Sequence, residues 1–106
     1  MRKQYNKLVR DHIPAIISTE GRAYEITTLQ DDEYRKALLE KLAEEAVEAQ
    51  NAQPRDLLVE LADLQEVIDS LLMLHNITSE ELRSVQQERH RTRGGFSKRI
   101  KLLWAE

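Results

Sequence analysis

A chain of 106 residues has room for one domain and one core, near the size at which partner subunits often complete that core. The absence of cysteine excludes a disulfide framework, a zinc–thiolate site and a thiol nucleophile, and it suits a reducing compartment. Net charge is only −3 but unevenly spread: residues 31–82 hold 14 Asp/Glu against 4 Lys/Arg, whereas the flanks together hold 5 against 12, a layout that suits a cation beside an anion.

No apolar run approaches the ~18 residues of a membrane span, and the start MRKQYNKLVRDH lacks the apolar stretch of a signal peptide. A soluble cytoplasmic protein is therefore expected. Three Gly and two Pro punctuate the chain, which reads as helices joined by short connections in a single domain over 1–106. Asp11, Pro14 and Gly21 bracket a first short helix over about 11–20, carrying Ile13, Ile16 and Ile17. Residues 22–29 lean towards extended structure through partial alternation. Asp31 is the expected N-cap of a long helix reaching about Asn51, with Asp32 and Glu33 in its first turn and an apolar stripe of Tyr34, Leu38, Leu42 and Ala49.

Pro54 breaks that helix, and a third is expected from about Asp56 to His75, with Leu57, Leu61, Leu64, Val67, Ile68, Leu71 and Leu72 on its buried side. Thr78 and Glu81 have capping-box spacing, and Ile77 and Leu82 are placed as a hydrophobic staple, so a fourth helix starts at Ser79 and stops at Gly94. The closing FSKRIKLLWAE reads as a strand over about 96–103 or as a short tail helix. The fold class is all-α, a four-helix bundle with short extended segments near 22–29 and 96–103.

Two acidic arrays lie inside the helical patterns: Glu44, Glu45 and Glu48 in EEAVE, and Glu60 and Asp63 in ELAD. Glu45 falls in the middle of its helix's apolar stripe and Glu48 on its edge, with Glu44 further round; Glu60 projects within the next stripe and Asp63 along its margin. Grouped buried carboxylates cost several kcal/mol per charge unless something neutralises them. Two antiparallel helices facing each other would gather Glu45, Glu48, Glu60 and Asp63 into an oxygen-only cage, which suits Mg²⁺ or Mn²⁺ with waters retained for exchange against phosphate oxygens. Di-iron bundles pair Glu with His at i+3, and none of His12, His75 or His90 follows a Glu at that spacing. The basic flanks supply anion ligands: Lys7 and Arg10 around the first helix, then Arg89 and Arg93 one turn apart, leading through Gly94 and Gly95 to Lys98.

EEAVE followed after 11 residues by ELAD resembles the signature of the all-α nucleoside triphosphate pyrophosphatases, which include MazG-like enzymes and phosphoribosyl-ATP pyrophosphohydrolase. YNKLVRDHIPAII and RGGF are similar to segments of small stand-alone MazG-like proteins of house-cleaning type. The resemblance implies a MazG-like bundle that binds Mg²⁺ through Glu45, Glu48, Glu60 and Asp63, with Glu44 as an auxiliary acid and Arg89 and Arg93 as phosphate contacts. Arg89 stands where such proteins commonly carry Lys, and His12 replaces a Lys.

The implied reaction is hydrolysis of a nucleoside triphosphate to a monophosphate and pyrophosphate, with Glu44 or Glu48 accepting the proton of water, in a homodimer or homotetramer. KLAEEAVEA is also similar to phosphoribosyl-ATP pyrophosphohydrolases, which makes histidine biosynthesis the rival enzymatic reading. The non-enzymatic alternative is a helical oligomeric module whose basic tail, from Arg89 to Lys101, touches nucleic acid. Only Phe96 and Trp104 accompany that tail, which gives base stacking little support.

Overall fold

The computed structural model describes residues 2–106 and is all-helical, with four α-helices and no strand among the described residues. The first helix, α1 (Ile13–Thr19), begins beyond Asp11, with Pro14 in its first turn, where a missing N–H costs nothing. It ends in a Schellman motif. Gly21, at φ 74°, donates its N–H to Ser18 O at 2.9 Å, and Arg22 donates to Ile17 O at 3.2 Å. This closure at both ends makes α1 shorter than the 11–20 span expected.

In the second helix, α2 (Asp31–Asn51), Gln30 and not Asp31 occupies the N-cap position, its carbonyl accepting the N–H of Tyr34 at 2.8 Å, and Asp31 is the first helical residue. No side chain caps it; Asp31, Asp32 and Glu33 act instead on the positive end of the helix dipole. Extended Ala52 and Gln53 then lead into Pro54, as the residue before a proline requires. Pro54–Asp56 forms one 3₁₀ turn that feeds directly into α3 (Leu57–Leu74).

So short a connection returns α3 antiparallel along α2, and the two helices pack on each other. Leu38 at 3% exposure and Val67 at 7% form the buried centre of the seam. Tyr34, Ala37, Leu42, Leu64, Ile68 and Leu71 are half-buried around them. At the end remote from the connection, Asp31, Asp32 and Arg35 line a shallow hollow with Leu74 and His75.

The chain divides into two compact units, Met1–His75, which holds α1 to α3, and Asn76–Glu106. In the second, Thr78 accepts the N–H of Glu81 at 3.0 Å while the Glu81 carboxylate accepts the N–H of Thr78 at 3.3 Å, the expected capping box, and α4 runs over Ser79–Arg93. Gly94 at φ 79° ends it. Residues 22–29 and 96–103 form neither strand nor helix: an extended segment becomes a strand only when another chain segment completes its hydrogen-bond ladder. Among the described residues no helix is long and apolar enough to cross a membrane.

Candidate metal centre

Glu45 lies seven residues after Leu38, and Glu60 seven residues before Val67. A heptad returns a helical side chain to nearly the same face, so each glutamate sits on its helix's buried stripe about 10 Å nearer the connection than the most buried residue. The antiparallel pairing therefore brings the two together. Carboxylate oxygens of Glu45, Glu60 and Asp63, all half-buried, lie within 4.8 Å of one another. Oxygens sharing one octahedral Mg²⁺ or Mn²⁺ at about 2.1 Å lie about 3 to 4.2 Å apart, so the trio is within a small side-chain movement of that geometry. Its donor set, oxygen only and anionic, fits a hard divalent cation.

Glu48, expected as the fourth ligand, is exposed and outside this trio, yet close enough to disfavour ionisation of Glu60. Partial removal from water, followed by the negative charges of Asp63, Glu48, Glu45 and Asp56, pushes the Glu60 carboxyl above its usual range. A cation relieves that repulsion most directly.

Three protein cations already offset part of the charge. Arg10 Nη2 donates to Asp63 Oδ1 at 2.7 Å, and Lys7 Nζ donates to Glu44 Oε1 at 3.4 Å. Lys41 Nζ lies 3.4 Å from Glu44 Oε1 and 3.6 Å from Glu45 Oε1. Around Glu44, desolvation opposes ionisation, but Lys41 and Lys7 together outweigh it and hold the carboxyl below its usual range. The five carboxylates Glu44, Glu45, Glu48, Glu60 and Asp63 against Lys7, Arg10 and Lys41 leave a formal −2, an excess of the sign that attracts a cation.

Lys41 was not among the residues that the sequence singled out. Its signal was the i,i+3 and i,i+4 spacing in KLAEE, which puts an ammonium beside both glutamates. Arg89 and Arg93 lie on the last turns of α4, and Lys98 lies in a turn beyond Gly94 and Gly95; all three are exposed and belong to the second unit.

No family model matches the chain, and no solved structure matches it. It is similar to an uncharacterized protein of Mycolicibacterium smegmatis, 50% identical over 54 residues that make up 51% of this chain and 55% of that protein. The chain thus matches about half the length of this curated relative.

Proposed function

We propose that the protein is a Mg²⁺-dependent nucleoside triphosphate pyrophosphohydrolase of the MazG-like, house-cleaning type, working in the cytoplasm. The observation that carries this reading is the convergence of Glu45, Glu60 and Asp63, with Lys7 and Arg10 from the N-terminal segment held against the same cluster. Cation ligands and anion ligands meet at one place, as a metal–polyphosphate substrate requires.

Glu45, Glu60 and Asp63 would hold Mg²⁺ or Mn²⁺, which would supply Lewis-acid polarisation of phosphate oxygens. Arg10 and Lys7 bind and orient the phosphates and offset the charge of the departing pyrophosphate. The α–β anhydride bond breaks as water adds, and a carboxylate takes the proton. Between the two candidates, Glu44 is tied to two ammonium groups that lower its proton affinity, whereas Glu48 has no cation partner among the described residues. Glu48 is the better proton acceptor. Arg89, Arg93 and Lys98 remain candidates for further phosphate contacts.

A homodimer or homotetramer completes the reading. The support is on α3, which carries much apolar surface outside its seam: Leu58 is 79% exposed and Met73 80%.

The test is to incubate the purified protein with Mg²⁺, canonical and modified nucleoside triphosphates, and phosphoribosyl-ATP. Pyrophosphate should be released from triphosphates, and Glu45→Ala and Glu60→Ala variants that still fold should lose about 100-fold or more in rate. Orthophosphate as the product contradicts the bond assignment. Selective turnover of phosphoribosyl-ATP assigns the protein to histidine biosynthesis, and no turnover of any substrate favours the binding module.

A further inference from the structure

The two cations best placed for a polyphosphate are already engaged. Arg10 and Lys7 reach their carboxylates across 53 and 37 positions of sequence, from a segment without regular secondary structure. Their side chains stay 56% and 48% exposed, so neither is locked in by packing. The Asp63 oxygen that accepts from the guanidinium lies in the trio's own carboxylate, so Arg10 and a divalent cation compete for Asp63. A polyphosphate offers the guanidinium a more highly charged partner with room for a bidentate bond.

We propose that Arg10 and Lys7 are exchangeable counter-charges, neutralising the carboxylates when the site is empty and passing to the polyphosphate when it binds, so that cation and polyphosphate each strengthen the other's binding. This inference rests on the metal-site reading above. While both cations face the carboxylates the cluster stands at a formal −2; once they turn to phosphate, Lys41 alone opposes the same five carboxylates and the balance becomes −4. The attraction for a divalent cation rises when the anion arrives, and linkage makes the effect reciprocal. The site accordingly selects the metal–polyphosphate complex over either component alone.

Titration of Mn²⁺ alone, followed by the electron paramagnetic resonance of the free ion, separates the outcomes. Arg10→Ala should bind Mn²⁺ about two- to fivefold more tightly than the wild type, Lys7→Ala should shift the same way by less, and Arg10→Lys should stay near the wild-type value. In turnover, Arg10→Ala should show a KM for Mg²⁺–triphosphate raised about tenfold or more, the opposite sign to its effect on metal alone. Mn²⁺ affinity that is equal or weaker in a folded Arg10→Ala protein overturns the exchange and leaves the metal site standing. No Mn²⁺ binding to either folded protein overturns the metal site, and the exchange with it.

Discussion

Glu60 is the residue at which local electrostatics meets the proposed metal site. Its folded-state carboxyl is raised by desolvation first and by neighbouring carboxylates second, so the folded protein holds that proton to higher pH than the unfolded chain does. The resulting penalty is fully present above the raised value and is relieved as pH falls through it. Metal binding runs the other way, because the ligand must be ionised. Mn²⁺ affinity should therefore fall with pH from above the ordinary glutamate value of 4.5, with protons released on binding, measurable by calorimetry in buffers of different ionisation enthalpy. Glu60→Gln should raise the melting temperature of the metal-free protein, and the further rise with Mn²⁺ that the proposed site predicts for the wild type should be absent from the variant; a thermal scan with and without metal reads both. Glu44 has the reverse sign: Lys41 and Lys7 overcome its desolvation and depress its carboxyl, so its small stabilising contribution is present at neutral pH and lost as pH falls through the depressed value.

At the scale of the helices, boundaries were legible wherever one residue type has one structural use. Thr78 with Glu81 marks the start of α4 and Gly94 its end, because a reciprocal cap and a positive φ each need particular side chains. Thr78→Ala should cost about 1 kcal/mol and Thr78→Ser much less, seen as a lower urea midpoint at unchanged slope. Gly21→Ala should cost about 1 kcal/mol, because a Cβ disfavours the left-handed φ of 74° that the Schellman motif requires. The start of α2 was less legible: three consecutive acids satisfy the helix dipole whichever of them begins the helix, and Gln30, which has no capping side-chain bond, took the N-cap position. Residues 22–29 show the limit of alternation as a signal, since a strand depends on a partner that local sequence does not name; 96–103, read as strand or tail helix, forms neither.

For the whole molecule, the seam between α2 and α3 is thin. Leu38 and Val67 are the two buried hydrophobic residues among those described, while Leu58, Val59 and Met73 stay 61–80% exposed on α3. Leu38→Ala should cost about 2–5 kcal/mol, a large share of a small domain's stability, and chemical denaturation will measure it. If α3's outer side is covered by a second copy, as proposed, the double variant Leu58→Glu and Met73→Glu should shift the mass seen by light scattering towards the monomer. It should also remove any dependence of melting temperature on protein concentration.

What the sequence determined by itself was periodic and local. The four helices, the break at Pro54, the caps of α4, and the placing of Glu45 and Glu60 on buried stripes all follow from residue type and the turn of the helix. Tertiary structure decided what required the elements to meet. The pairing of α2 with α3 brought Asp63 together with Glu45 and Glu60 and left Glu48 exposed. The path of the N-terminal segment carried Arg10 to Asp63 and Lys7 to Glu44. The physical reason is range: a heptad constrains neighbours on one helix, whereas ion pairs spanning 37 and 53 positions depend on how the whole unit packs.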